Sequence, residues 1–206
     1  MNTDLQKTYD RIAEDWHKDH LPDDWWVEGT NRFLSYLPEG GSILDVGCGS
    51  GMKSKYFLDR GYEVMGVDIS QGLLAIARRE APGGEYRLLP MEELHTLPNL
   101  FDGVFAQASL LHIPKQEAGA IVKMMADRLK PGGFLYVAVK EARPGHAPEE
   151  VLRENDYGYE YERFFSYYTV AELESYVRAA GLSVATSVPN PHPTAKTVWL
   201  QIIAKK

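Results

Sequence analysis

The sequence has little of what disulfide-bonded or membrane-spanning proteins require. Its 206 residues include one cysteine, Cys48, which excludes an internal disulfide and suits a reducing compartment. No apolar run approaches the ~20 residues needed to cross a bilayer, and no leader with a charged and then an apolar segment opens the chain. We therefore expect a soluble, cytoplasmic protein without a membrane partner.

Basic residues are also fewer than acidic ones. Lysine and arginine total 22 against 29 aspartate and glutamate residues, which gives a formal net charge of −7 at pH 7. Binding along a nucleic-acid backbone needs clustered positive charge, so the sequence predicts no nucleic-acid partner. Histidine and cysteine do not cluster at metal-ligand spacings, and no bound metal is expected.

The composition that is present is that of one globular domain. Hydrophobic residues make up 44% and charged residues 25% of the chain, close to the average for soluble proteins. The length accommodates one α/β domain and falls short of two. No internal repeat, low-complexity run or interdomain linker divides the sequence.

Hydrophobic periodicity and turn residues predict alternating helices and strands. Helices are predicted over about 3–20, 24–37, 52–60, 70–81, 119–130 and 169–180. Strands are predicted over about 42–46, 62–68, 85–89, 101–106, 182–188 and 197–204, and a turn followed by a strand over 129–139. This alternation is typical of a largely parallel sheet covered by helices on both faces.

A glycine-rich loop follows the first predicted strand, 42–46. Gly47, Gly49 and Gly51 alternate with other residues, and a helical pattern comes next. Glycine serves where the chain needs a positive φ or where a ligand approaches the backbone. The alternative is a tight strand-to-helix turn. Three glycines after Asp45 cost conformational entropy on folding, and this favours a loop that offers backbone N–H groups to a ligand.

A second acidic residue, Asp68, ends the next predicted strand. It lies about 17 residues after Gly51, near the offset at which nucleotide-binding α/β units place a carboxylate on ribose hydroxyls. A carboxylate suits this task because it accepts hydrogen bonds from two neighbouring hydroxyls at once. The alternative roles are those of a solvated acid or a helix cap.

The segment Asp-Val-Gly-Cys-Gly-Ser-Gly at 45–51 resembles the first motif of class I S-adenosylmethionine-dependent methyltransferases. The turn Lys-Pro-Gly-Gly at 130–133 is a second point of resemblance. The resemblance covers residues 45–139 well and the rest of the chain loosely. It implies a Rossmann-like, seven-stranded, mostly parallel sheet with an antiparallel last strand, extra N-terminal helices, S-adenosyl-L-methionine as cofactor and S-adenosyl-L-homocysteine as product.

The resemblance also implies where the cofactor binds. The glycine loop would lie under its methionine part, with Asp45 in contact directly or through water, and Asp68 would take the ribose. In related enzymes an acid often follows the third strand; here Pro90 or Met91 replaces it, with Glu92 next. The predicted cofactor-binding residues are Trp16, Asp45, Gly47, Cys48, Gly49, Gly51, Asp68, Ile69, Met91, Glu92 and Gln107.

The acceptor side is predicted from two other segments. His112 follows the fourth strand, where it could act as a base or position a substrate, although many family members carry a histidine here that only bonds locally. The aromatic and charged insertion 140–168 would form the acceptor pocket, unless it is a surface plug or a dimer contact. Predicted acceptor contacts are Tyr9, His112, Arg143, Tyr157 and Tyr161, and His146, Tyr159 and Arg163 are also expected to help form the pocket.

Four parts of one domain follow from these assignments. Residues 1–40 form a helical cap, 41–139 the cofactor-binding core, 140–168 the insertion, and 169–206 a helix and a strand pair. The cap carries Tyr9 and Trp16, whose alternative role is core packing. The protein is expected to be a monomer or a homodimer.

The predicted activity is in-line methyl transfer to a small-molecule or metabolite acceptor, in class EC 2.1.1.-. The loop at 107–110 does not match the signature of amide or exocyclic-amine methylation, and it lacks aspartates for magnesium-assisted catechol methylation. Two alternatives remain open. One is a dinucleotide-binding oxidoreductase, although the order G-x-G-x-G fits the dinucleotide motif less well. The other is a non-catalytic protein that binds S-adenosylmethionine.

Overall fold

The computed structural model describes residues 3–191 and 198–206. Two helices, α1 (Thr3–His20) and α2 (Val27–Leu34), precede the sheet. The predicted second helix is shorter at both ends. After Leu34 the chain continues as single turns, in which Tyr36 N–H donates to the Phe33 carbonyl at 3.1 Å.

The remaining elements alternate largely as predicted. They are β1 (Ser42–Val46), α3 (Met52–Leu58), β2 (Glu63–Asp68), α4 (Gln71–Glu80), β3 (Glu85–Leu88), β4 (Phe101–Gln107), α5 (Lys115–Asp127), β5 (Leu129–Lys140), β6 (Glu149–Glu154), β7 (Tyr161–Ser166), α6 (Val170–Ala179), β8 (Ser183–Pro191) and β9 (Val198–Lys205). Two 3₁₀ turns, Met91–Thr96 and Leu110–His112, follow β3 and β4.

Seven strands form one sheet in the order β3-β2-β1-β4-β5-β9-β8. The first five are parallel, and β9 is antiparallel to both of its neighbours. The predicted Rossmann-like sheet with an antiparallel last strand is thus confirmed. Strand order reverses between β1 and β4, and in such sheets ligands bind beyond the carboxyl ends of the strands at this point.

Capping residues fix two helix starts that the sequence predicted. The Ser70 hydroxyl accepts from Leu73 N–H at 3.1 Å at the start of α4, and Thr169 and Glu172 form a capping box at the start of α6. Helix α5 begins four residues earlier than predicted. Gly119 lies inside α5, and its lack of a side chain lets the ring of Tyr176 pack closely against the helix.

Apolar residues cover both faces of the sheet. A large cluster packs α5, α6 and the Leu110–His112 turn against one face, and a smaller one packs α2 and α3 against the other. Helix α1 reaches over the carboxyl edge to α4, where Asp10 Oδ1 accepts from Ser70 Oγ at 2.7 Å and from Gly72 N–H at 2.9 Å. These contacts place α1 above the switch point.

Strands β6 and β7 form a separate antiparallel hairpin within the insertion. The sequence did not predict this pairing. Its strands carry charged residues on both faces, which pair across the hairpin: Arg153 with Glu162, and Arg163 with Glu154. The hairpin contacts α1, since Thr8 Oγ1 donates to the Glu162 carbonyl at 3.1 Å.

The predicted connection between the last two strands, Pro189 to Thr194, falls partly in β8, which extends through Pro191. Its remainder lies outside the described residues.

Candidate active site

A cavity of about 500 Å³ opens at the carboxyl edge of the sheet. Helix α1 covers it, the glycine loop and the ends of β2, β4 and β5 form its floor, and β7 forms one wall. Topology alone explains this position, because β1 and β4 diverge into connections on opposite faces of the sheet. Most residues predicted to bind a cofactor line this cavity, and so do Tyr9 and His112 from the predicted acceptor contacts.

The three loop glycines all have positive φ but differ in what they contact. Gly47 and Gly49 line the cavity, with φ of 72° and 54°. A side chain on Gly47 would collide with Ser109 at 2.3 Å, whereas one on Gly49 would fill the space beneath the Trp16 ring, at 3.6 Å. Gly51 does not line the cavity; it lets α3 begin against Ala77.

Asp68 is held by backbone donors at the cavity edge. Its Oδ2 accepts from Gly49 N–H at 2.8 Å and its Oδ1 from Ser70 N–H at 2.9 Å. It is 8% exposed, and burial raises its pKa although these hydrogen bonds oppose the rise. A carboxylate has about four acceptor sites, so Asp68 keeps capacity for a ligand hydroxyl.

Asp45 borders the cavity at the end of β1. Its Oδ2 accepts from the Ser54 hydroxyl at 2.7 Å. Burial raises the pKa of this carboxyl to about 6, and the hydrogen bond from Ser54 and the charge of Lys53 oppose the rise. Lys53 also lines the cavity, where burial lowers its pKa and the charge of Asp45 opposes that change.

Gln107 offers a buried amide without a partner. Its side chain lies at the end of β4 in the cavity wall and is 7% exposed. Neither Oε1 nor Nε2 makes a hydrogen bond to any described residue. Buried amides are normally paired, and an unpaired one costs about 1–3 kcal/mol. The site therefore suits a ligand that presents both a donor and an acceptor.

The remaining predicted cofactor contacts also reach the cavity. Cys48, Ile69, Met91 and Glu92 line it, the last two from the 3₁₀ turn after β3. Trp16 lies above them and stacks on His20, with ring centres 4.2 Å apart. Of the eleven residues predicted to bind the cofactor, Gly51 alone is outside the described lining.

Tyr9 and His112 are joined in the part of the cavity next to the hairpin. The Tyr9 hydroxyl lies 2.7 Å from His112 Nε2, and His112 Nδ1 lies 2.7 Å from the Phe164 carbonyl. A carbonyl only accepts, so Nδ1 carries the proton and Nε2 accepts from Tyr9. Burial lowers the pKa of His112 to about 3. His112 is thus a weak base, and this geometry favours local bonding that orients Tyr9.

The hairpin contributes Arg163 and Phe165 to the same wall. Arg163 donates to both oxygens of Glu154, each at 2.6 Å, and lies 3.4 Å from the Tyr9 hydroxyl. Opposite, Lys140 ends β5 and places its ammonium 4.0 Å from the Phe165 ring centre. Burial and the charge of Arg163 lower the pKa of Lys140 to about 8.

Of the insertion residues predicted to help form the acceptor pocket, Arg163 lines the cavity. Five others lie outside its described lining: Arg143, His146, Tyr157, Tyr159 and Tyr161. Tyr157 and Tyr161 stack on each other at 5.5 Å, and their hydroxyls donate to Asp19 and Asp156. Tyr161 shares a strand face with the two hairpin residues of the wall but lies about 7 Å farther along β7 than Arg163, beyond the cavity.

Other lining residues were missed by the sequence analysis: His20, Asp23, Trp25, Lys53, Lys140, Phe165 and Trp199. Two signals could have found some of them. Lys140 ends a parallel strand at the ligand-binding edge, and Trp199 begins an antiparallel strand at that same edge. Trp25 stacks on Trp199 with ring centres 4.5 Å apart. Because these residues are far apart in the chain, no local sequence pattern predicts their contact.

No group of histidine, cysteine, aspartate and glutamate within the described ranges is arranged to hold a metal ion. No helix in the described part of the chain has the length and apolarity to span a membrane.

Comparisons with known proteins agree with this site. A family model described as a methyltransferase domain matches residues 43–133. The chain is 28% identical to a ubiquinone biosynthesis O-methyltransferase of Acinetobacter baumannii (strain ACICU), covering 97% of this chain and 92% of that protein. It is 32% identical to one of Bordetella bronchiseptica over 76% of this chain and 66% of that protein.

A solved structure shares the fold. The 1,6-didemethyltoxoflavin-N1-methyltransferase of Burkholderia thailandensis, crystallised with 1,6-didemethyltoxoflavin and S-adenosylhomocysteine, superposes with a TM-score of 0.78 at 22% identity. The match covers 99% of this chain and 88% of that one.

Proposed function

The chain belongs to the class I S-adenosylmethionine-dependent methyltransferase superfamily, and we propose that it methylates a hydroxyl oxygen of a small acceptor held beneath α1. One observation carries the proposal: the glycine loop, Asp68 and the unpartnered amide of Gln107 all border one cavity. The O-methyltransferase activity by which the relatives from Acinetobacter and Bordetella are named supports oxygen as the methylated atom.

The residues at the floor fit the cofactor. Space that a side chain at Gly49 would fill is open beneath Trp16, and Gln107 offers an unpaired donor and acceptor. We assign the backbone of Gly47 to Gly49 and the carboxylate of Asp45 to the methionine end, and Asp68 to the ribose hydroxyls. Ile69, Met91 and Glu92 then border the adenine.

S-adenosylmethionine, when bound, supplies a methyl group that its positive sulfur already activates. The protein's task is then to align the acceptor and exclude water. Tyr9 and Trp16 on α1 cover the cavity from solvent, and His112 and Arg163 hold the Tyr9 hydroxyl in place. An acceptor hydroxyl loses its proton as the O–C bond forms. Because the pKa of His112 is lowered to about 3, that proton passes to solvent and not to His112.

Titration calorimetry with S-adenosylhomocysteine tests the site through Gln107→Leu. The variant is expected to bind the ligand about tenfold more weakly, because a buried amide donor and acceptor are lost. It should unfold at no lower temperature than the wild type, since an unpaired buried amide is removed. Equal affinity in both proteins would contradict the assignment of Gln107.

Two further measurements separate the alternatives. NAD should give no heat of binding, whereas a dinucleotide-binding oxidoreductase would bind it. Incubation with labelled S-adenosylmethionine and a panel of hydroxylated and aminated aromatics should label hydroxylated compounds. Ligand binding without transfer to any compound would favour the non-catalytic alternative.

The affinity for S-adenosylhomocysteine is expected to fall as the pH drops through about 6. The pKa of Asp45 is raised to about 6 in the folded protein, and its ionised form attracts the positive amino group of the ligand. Affinity should therefore be full above this pH and decline below it. Calorimetry from pH 5 to 8 on wild type and Asp45→Asn checks this, and the variant should bind weakly with a flat profile.

The same group affects folding with the opposite sign. An unfolded aspartate ionises near pH 4, so between about 4 and 6 the folded state binds more protons. Stability from Asp45 is present below this window and is lost as the pH rises through it. Thermal melts should show this decline in the wild type and lack it in Asp45→Asn.

A further inference from the structure

The acceptor end of the cavity has an unbalanced charge. Two cations face it, Arg163 from the hairpin and Lys140 from β5. Glu154 neutralises the first through two hydrogen bonds of 2.6 Å, and both side chains of this pair are at least four-fifths buried. The charge of Lys140 is not neutralised in this way.

The ammonium of Lys140 has no hydrogen bond or ion pair with any residue between 3 and 191 or 198 and 206. It lies over the Phe165 ring, a contact worth about 0.5–2 kcal/mol. The charges of Arg163 and Arg143 disfavour the charged form of Lys140, and those of Glu154 and Glu150 favour it. A half-buried ammonium without a hydrogen-bonded anion is costly, because burial removes solvation that nothing replaces.

The neighbouring side chains do not supply the anion. Glu117 also lines the cavity, but it forms no ion pair with Lys140. His112 is neutral, with one ring nitrogen on the Phe164 carbonyl and the other on Tyr9. The Tyr9 hydroxyl donates to His112, and burial raises its pKa so that it stays protonated. Trp25 and Trp199, the stacked pair lining the cavity, are uncharged.

We propose that Lys140 binds an anionic oxygen, either a carboxylate or an ionised aromatic hydroxyl, of a small aromatic acceptor. The unpaired ammonium supplies the counter-charge, and the tryptophan pair with Tyr9 supplies flat apolar surface suited to a ring. The inference rests on the proposed function, because the acceptor must share the cavity with the methyl donor. It adds the chemical class of the acceptor and the residue that selects it.

Calorimetry on protein saturated with S-adenosylhomocysteine tests the carboxylate arm. The probes are 4-hydroxybenzoate and 4-hydroxybenzamide, which differ mainly in one charge. The wild type is expected to prefer the benzoate by about tenfold, the usual effect of a hydrogen bond to a charged group. Lys140→Met should lose this preference, and Lys140→Arg should retain most of it.

The hydroxyl arm uses 4-nitrophenol, whose ionised form absorbs visible light. Bound to the loaded wild type, it should ionise at a lower pH than in solution, and Lys140→Met should abolish this shift. Lys123→Met is the matched control, since it removes an exposed lysine that pairs with Asp127 outside the cavity. It should behave as the wild type in both arms.

Loss of either effect in Lys140→Met supports the inference and identifies the anionic group. Retention of the wild-type behaviour in both arms, or failure of the loaded wild type to bind any anionic probe, overturns it. Failure to bind S-adenosylhomocysteine in the first place would instead refute the proposed function. Unchanged S-adenosylhomocysteine affinity in Lys140→Met shows that it is folded, and Lys140→Gln replaces it if that affinity is lost.

Discussion

Replacing Arg163 with methionine is expected to destabilise the protein by about 3 kcal/mol. The change leaves the carboxylate of Glu154 without the guanidinium that donates to both its oxygens. These side chains are 15% and 19% exposed, and removing one partner of a largely buried pair costs about 3–5 kcal/mol. For a domain of this size the melting temperature should fall by roughly 6–12 °C.

The same hairpin provides a matched control. Arg153 pairs with Glu162 at 3.0 Å, but these side chains are 69% and 54% exposed. Exposed ion pairs contribute about 0–1 kcal/mol, so Arg153→Met should change the stability little. Denaturant unfolding of both variants measures their free energies of unfolding. A similar loss of stability in the two would refute the special role of the Arg163 pair.

A double variant tests whether the unpaired carboxylate of Glu154 causes the loss of stability. Combining Arg163→Met with Glu154→Gln removes that charge, and most of the lost stability should return. Arg163→Met should also weaken acceptor binding, because Arg163 and His112 together hold Tyr9 at the cavity. Binding of S-adenosylhomocysteine should change less, since its proposed contacts lie on the other elements of the floor.

Replacing Asp68 with alanine is expected to weaken S-adenosylhomocysteine binding by roughly 1.5–3 kcal/mol, or about 10- to 150-fold. The carboxylate is assigned to two ribose hydroxyls, and it also fixes the glycine loop through Gly49 N–H at 2.8 Å. Both contributions are lost together. Calorimetric titration gives the dissociation constants directly.

Asp59→Ala is the control for this variant, because it removes an exposed carboxylate that pairs with Lys55 on α3. It should bind the ligand as the wild type does. Asp68→Asn should fall between wild type and alanine, because it retains one acceptor oxygen. An unchanged dissociation constant in folded Asp68→Ala would show that the ribose assignment is wrong.

The sequence predicted the sheet well, and most of the residues that it proposed for the cofactor line one cavity. Apolar periodicity, loop glycines and helix caps depend on residues close together in the chain, so their signal is local. Asp45, Asp68 and Gln107 could be placed together because each ends a parallel strand, and parallel strands end at one edge. The corrected positions of Tyr157 and Tyr161 show where this reasoning fails.

Only the tertiary structure shows how the part of the cavity proposed for the acceptor is built. The pairing of β6 with β7 could not be predicted from the sequence, because the inner face of the hairpin carries charged residues that pair across the strands. Only the folded chain shows that Glu154 pairs with Arg163 and that Tyr9, from the first helix, meets His112. Such contacts join residues distant in sequence, and burial lowers the pKa of His112 and raises that of Tyr9. The fold class can therefore be predicted from local sequence patterns. The unpaired charge of Lys140 results from how distant segments pack, and only the folded structure shows it.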